Sequence, residues 1–215
     1  LSLWGAGQMM FNKYMIAVAQ GSDVRDNATL AALLRRIDTS RNIIRSEGIY
    51  DVLDHATATN GYGGKLAIDT TSVDPTSAVE PYNLPDNIEP SEGVTAILSD
   101  YAESWGAVAL FAEQGADIEA FVRKNELDKV NYIAVFDSQA KGLPAGDLVW
   151  LGAANTDPRR DVRTVGKALI VDARSKQPGT EGNPSRFPNV VTASPETIAL
   201  VDKRWAEYGC GEFIP

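Results

Sequence analysis

Two stretches of this chain carry the same features in the same order. Ile16-Ala17-Val18 returns as Ile133-Ala134-Val135, and Asp38 to Ile43 returns as Asp157 to Val162. Gly64-Lys65, leading through apolar residues to Asp69, returns as Gly166-Lys167 leading to Asp172. Three matches in the same order, the first two spaced about 118 residues apart, predict an internal duplication. The alternative is coincidence between two ordinary strand–helix–strand units. A duplication implies two lobes related by a pseudo-two-fold, with edge strands as candidates to join into one sheet. The expected fold class is therefore α/β: three-layer α/β/α, with a mixed or largely parallel sheet and two related lobes.

Periodicity places the elements. Tyr14–Ala19, Asn42–Ile44 and Lys65–Asp69 read as strands of the first lobe, with a glycine-rich loop over Thr57–Gly64. Asn27 is the expected cap of a helix bearing Leu30, Leu33, Leu34 and Ile37. In the second lobe, Trp105–Ala112, Tyr132–Phe136 and Val165–Val171 read as strands. Ile118, Phe121 and Val122 mark one helix face, and Pro144 opens a helix carrying Leu148 and Leu151. Gln177 to Pro188 is a Pro/Gly-rich loop. The final helix has Ser194 as cap, Pro195 in its first turn and Gly209 as its stop, and its expected buried face is Ile198, Val201, Trp205 and Tyr208. Four prolines between Ser72 and Pro90 mark a linker. The division is thus 1–72 for the first unit, 73–90 for the linker and 91–215 for the second unit with its terminal helix.

Composition narrows the function. A formal charge of −9 argues against nucleic acid or an anionic membrane as partner, since both call for a basic face. No apolar run approaches the ~18 residues of a membrane span. A lone cysteine, Cys210, leaves no internal disulfide and fits the cytoplasm. One Cys and one His cannot build a zinc site without carboxylates, so no metal site is expected. Gly61-Tyr62-Gly63-Gly64-Lys65 lacks the spacing and following Ser/Thr of a phosphate-binding P-loop, and Gly5-Ala6-Gly7 is too short for a dinucleotide fingerprint. Asp54 and His55, adjacent on extended backbone, point opposite ways and make a poor acid–base pair. The apolar opening, Leu1 to Phe11 running into Tyr14–Ala19, suggests a domain cut from something longer.

Met9-Met10-Phe11-Asn12-Lys13, the strand after it, Asp23-Val24-Arg25-Asp26, Asp38 to Ile43, Val52-Leu53-Asp54-His55-Ala56 and Gly64 to Thr71 follow one family's order. Together with Gly166-Lys167 to Asp172, Arg186-Phe187-Pro188 and Arg204 to Gly209, they resemble the C-terminal region of UbiD-type decarboxylases, which use prenylated flavin mononucleotide. The chain departs from that pattern in an insertion from Ser72 to Val165, and in Ala19-Gln20-Gly21-Ser22 where acidic residues are usual. It also has no counterpart of the family's Glu–Arg–Glu catalytic set, so no catalytic residue is expected here.

The resemblance implies a C-terminal domain of a decarboxylase of aromatic or polyprenyl-aromatic acids, in ubiquinone or menaquinone biosynthesis. Such a domain closes the active-site cleft, supports oligomerisation and is inactive alone. Prenylated flavin, a divalent metal and potassium as a candidate second ion would be held by the upstream flavin-binding domain, with no tightly bound cofactor here. Lys13 would approach the flavin phosphate; Met9, Met10, Phe11, Glu47 and Ile49 would line the substrate pocket. The competing reading is an assembly module that never touches cofactor. For Lys13 the plain alternative is a solvated lysine, and for Met9 to Phe11 a buried interface.

Overall fold

The computed structural model describes residues 2–82, 84–85, 88–90, 92–176, 187–188 and 191–212. The chain forms two mixed sheets with flanking helices. The first is built from β1 (Tyr14–Ala17), β2 (Ile43–Ile49) and β3 (Tyr62–Asp69), with α1 (Asn27–Leu34) connecting β1 to β2. Its order is β1-β3-β2, with β1 parallel and β2 antiparallel to β3. The cap of α1 is Asp26, whose carboxylate accepts from the backbone N–H groups of Ala28 and Thr29. The expected Asn27 cap is thus one residue late, because Asp26 is the residue whose carboxylate reaches the free first-turn donors.

The second sheet is formed by β4 (Val94–Leu98), β5 (Ala107–Ala112), β6 (Tyr132–Asp137), β7 (Val162–Val165) and β8 (Ala168–Asp172), in the order β4-β5-β6-β8-β7. Its helices are α2 (Ala102–Trp105), α3 (Ile118–Lys124), α4 (Ala145–Ala154) and α5 (Pro158–Asp161). One face buries Val108, Leu110, Ile133, Val135 and Ile170 against Phe121 and Val122 of α3. The alternation of strand side chains sends Phe111 and Phe136 to the other face, where they meet Leu148 of α4.

Several expectations change. Val165–Val171 is not one strand: Gly166, at φ 58°, turns the chain between β7 and β8. A β-carbon at Gly166 would stand 2.6 Å from the Asp128 carboxylate, so close approach as well as the positive φ requires glycine. Trp105 ends α2 instead of opening a strand. Tyr62 to Gly64 belong to β3, not to a loop; there a β-carbon on Gly64 would lie 2.2 Å from the Arg159 backbone nitrogen. The 73–90 stretch is pinned to the second unit through Tyr82, Leu84 and Ile88, which pack on its core. The terminal helix, α6 (Pro195–Lys203), starts at Ser194 as expected but buries none of its residues; Ile198 is 50% and Tyr208 42% exposed. Residues 177–186, most of the expected Pro/Gly-rich loop, lie outside the described residues.

The two sheets remain separate and meet face to face. Their shared core sets Tyr14, Ile43, Leu66 and Ile68 from the first against Tyr132, Val162, Leu169 and Val171 from the second. The ladders match position by position. Tyr14 stands opposite Leu66 and Tyr132 opposite Leu169; Ile43 stands opposite Ile68 and Val162 opposite Val171. The turns before β2 and β7 match as well: the Asp38 N–H donates to the Asn42 side chain, and the Asp157 N–H to the Asp161 side chain, each at 2.8 Å.

Candidate functional site

The residues just before β1 and just before β6 each reach across to the other unit's helix. The Lys13 ammonium donates to the carbonyls of Ala154 (3.1 Å) and Thr156 (3.0 Å), at the C-terminal end of α4. Asn131 donates from its side-chain amide to the carbonyls of Leu34 and Arg35, each at 3.0 Å, at the end of α1. The tyrosines that follow do the same: the Tyr14 hydroxyl bonds Thr156 Oγ1, and the Tyr132 hydroxyl donates to Leu34 O at 3.3 Å. Burial pushes both phenols well above the usual tyrosine range, so both remain neutral donors. Carbonyls at helix ends lack intrahelical partners, and cross-unit donors satisfy them here.

Around Lys13 lies an open depression of about 360 Å³, lined by Leu53, Asp54, His55, Trp150, Ala153 and Ala154. Asp54 Oδ2 sits 2.8 Å from Lys13 Nζ, and both side chains are largely buried. His55 turns the other way: its Nε2 is 3.0 Å from Asn155 Oδ1, and its ring stands edge-on to Phe187 at 5.0 Å. The adjacent Asp54 and His55 therefore serve different partners, although they lie in a turn and not on the extended backbone expected, the Asp54 N–H donating to Asp51 O at 3.0 Å. Leu53 is 85% and Trp150 56% exposed, so the rim of the depression is apolar.

The Met9–Phe11 candidates lie beside a different lysine. Met9, Met10 and Phe11 lie on a 3-10 turn, Gly7–Phe11, that runs against β2, the strand carrying Glu47 and Ile49. Lys65 holds this arrangement: its ammonium donates to the carbonyls of Met10 (2.6 Å) and Asn12 (2.9 Å) and lies 4.9 Å from the Tyr50 ring centroid. Gly48 leaves room for the lysine stem, since a β-carbon there would be 2.8 Å from Lys65 Cε. Burial lowers the Lys65 pKa. Met9 and Ile49 remain about half exposed, and Glu47 pairs with Arg159 at 3.3 Å. Strand alternation sets Glu47 and Ile49 on the face of β2 opposite Gly48 and Lys65, so the expected pocket residues divide between the two faces. Lys13 Nζ lies 5.8 Å from the centroid of the same Tyr50 ring.

Lys65, Asp54 and Trp150 were missed as organisers of this region. Lys65 sits in an apolar strand run, where a buried cation among Gly64, Leu66, Ala67 and Ile68 was the available signal. Nothing in the local sequence pairs Asp54 with Lys13.

A flavin phosphate needs free donors. The three N–H groups of the Lys13 ammonium are matched by two carbonyls and a carboxylate, so this residue does not fit a phosphate-binding role in the arrangement described. Among the described residues, no three His, Cys, Asp or Glu side chains converge as a metal site, and no helix is long and apolar enough to cross a membrane.

Residues 1–70 match the family described as the 3-octaprenyl-4-hydroxybenzoate carboxy-lyase C-terminal domain. The match covers about a third of the chain and leaves residues 71–215 outside it. An uncharacterized protein of Helicobacter pylori strain J99 is 27% identical over 187 residues, covering 81% of this chain and 30% of that protein. An uncharacterized protein of Aquifex aeolicus is 36% identical over 72 residues, 33% of this chain and 15% of that protein. Among solved structures, the vanillic acid decarboxylase of Sedimentibacter hydroxybenzoicus shows 13% identity and a TM-score of 0.38, over 77% of this chain and 44% of that one. The chain thus spans less than a third of the length of either sequence relative.

Proposed function

We propose that this chain acts as the C-terminal region of a cytoplasmic, prenylated-flavin-dependent decarboxylase of aromatic or polyprenyl-aromatic acids, closing one side of the cleft and supporting oligomerisation. The observation that carries this reading is the match of residues 1–70 to a carboxy-lyase C-terminal domain. The flavin supplies an electron sink for loss of carbon dioxide, and an upstream domain holds it together with the acid–base residues. This chain's own residues contribute shape. Lys65 fixes the Met9–Phe11 turn beside β2, presenting an apolar wall suited to an aromatic ring.

One observation favours the second reading, an assembly module without cofactor contact: the Lys13 ammonium already has a full set of partners. Turnover of a panel of 4-hydroxybenzoate-type acids separates the two. The isolated chain is expected to be inactive and to leave plain and prenylated flavin unbound. Within the polypeptide its reading frame encodes, enlarging the wall with Met10→Trp is expected to raise KM for the acid at unchanged oligomeric state. Unchanged kinetics would favour the assembly module; full turnover after deleting residues 1–215 would overturn both.

A further inference from the structure

Lys13 and Asn131, which make matching contacts across the seam, have different surroundings. Over Asn131 lies a phenol: the Tyr82 hydroxyl donates to Asn131 Oδ1 at 2.8 Å, and the Arg35 guanidinium stacks 3.6 Å from the centroid of the Tyr82 ring. Asn131 thus engages both ends of its amide, the nitrogen on the α1 carbonyls and the oxygen on the phenol. Beside Lys13 lies the open depression of about 360 Å³. Its apolar lining is Leu53, Trp150 and Ala153, and its polar lining is the Lys13–Asp54 pair with His55.

That polar lining is rich in acceptors. Lys13 commits its three N–H groups to Ala154 O, Thr156 O and Asp54 Oδ2. His55 Nε2 is engaged with Asn155 Oδ1. An ionised carboxylate has about four lone-pair sites. Asp54 uses one for Lys13 and one for the Ala56 N–H at 2.9 Å, so its oxygens keep capacity for a further donor. This balance selects the ligand. An aromatic carboxylate would set its charge against Asp54 and find the lysine donors taken, and an aromatic ammonium would set its charge against Lys13. A hydroxyl donates to Asp54 without either repulsion, and a phenol stays neutral at pH 7. The exposed Trp150 indole supplies a surface on which an aromatic ring stacks.

We propose that the depression binds a small neutral phenol, its ring against Trp150 and Leu53 and its hydroxyl donating to Asp54. Tyr82 is the chain's own precedent, a phenol donating to the residue that matches Lys13. The volume lies near the lower end of the about 300–1,000 Å³ usual for small-molecule pockets, which suits one ring with a short substituent. The inference goes beyond the proposed decarboxylase role and does not rest on it.

The test is calorimetric titration of the 215-residue chain with four probes of one size: p-cresol, 4-methylanisole, 4-methylbenzoate and 4-methylbenzylamine. p-Cresol is expected to bind about 10-fold more tightly than the other three, the difference being a hydrogen bond to a charged acceptor. Its NMR footprint should centre on the Trp150 indole N–H and the Leu53 and Asp54 amides. Trp150→Ala, at an exposed side chain, should weaken p-cresol about 10-fold, and Trp150→Phe should restore most of that loss. Asp54→Asn leaves Lys13 without its counter-charge and should move the preference from p-cresol to 4-methylbenzoate. Equal affinity for p-cresol and 4-methylanisole would overturn the proposal, because the hydroxyl would then play no part. So would tighter binding of 4-methylbenzoate by the unaltered chain, or an unchanged preference in Asp54→Asn. Neither heat nor shifts at millimolar p-cresol, or a footprint away from Trp150, would overturn it as well.

Discussion

Tyr14 and Tyr132 hold the same place in two ladders: each stands opposite a leucine, Leu66 or Leu169, and each sends its hydroxyl to the other unit. Both leucines are 2% exposed in the shared core. Leu66→Ala and Leu169→Ala should therefore each cost about 2–5 kcal/mol, and the double variant should depart from additivity because the two share one cluster. Urea unfolding measures all three; a negligible loss for either single variant would mean that the sheets do not depend on this contact.

Lys13 and Asp54 form a largely buried pair. Lys13→Met strands a carboxylate and should cost about 3 kcal/mol, whereas adding Asp54→Asn should recover much of that loss. A double-mutant cycle read by thermal melting checks the coupling. Equal damage from the single and double variants would place the role of Lys13 with the α4 carbonyls alone.

Lys65→Met removes the donor to Met10 and Asn12. The expected cost is about 1–3 kcal/mol, with faster amide exchange concentrated at Met9 to Phe11. Unaltered exchange in that turn would show that Lys65 does not position it.

Asp172 gives the pH dependence. Burial works to raise its pKa, but the Arg174 side-chain bonds and the nearby Lys176 charge prevail and hold the carboxyl below its usual value. A lowered folded-state pKa contributes stability present above the unfolded value of about 3.9 and lost as pH falls through the folded one. The melting temperature should drop on acidification below about pH 4, and Asp172→Asn should flatten that drop. An identical acid profile in the variant would assign the loss to other carboxylates.

Helix α6 buries nothing within the chain, so Ile198→Ser should move stability by less than about 0.5 kcal/mol, against several for Ile170→Ser in the core. Calorimetry on both variants decides this.

Strand-length apolar runs such as Tyr132–Phe136, and the Ser194-Pro195 helix start, could be read directly because local pattern and tertiary burial agree there. Of the motifs matched in the sequence, Ile43 and Val162 do stand at corresponding ladder positions, but others are one residue out. The ladders set Ile133 level with Met15, not Ile16, since Tyr132 matches Tyr14. They also set Lys65 level with Ala168, since Leu66 matches Leu169; Lys65 is consequently buried in its strand while Lys167 lies exposed in a turn. A one-residue slip exchanges the two faces of a strand, and only pairing partners reveal it. The amphipathic pattern of α6 predicted a buried face, but periodicity does not say whether the covering surface belongs to the same chain. Lys13 and Asp54 lie within one unit but far apart in sequence, and no local pattern encodes such a pairing.

The seam has one further consequence. A two-fold dimer of identical subunits must build both of its symmetry-related crossings from the same side chains, so any change is imposed twice. Here both crossings lie on one chain, and they already differ: a lysine ammonium donates to the carbonyls at the end of α4 in one, a neutral asparagine amide to those at the end of α1 in the other. Each crossing can acquire its own charge and its own chemistry while its counterpart keeps the fold together.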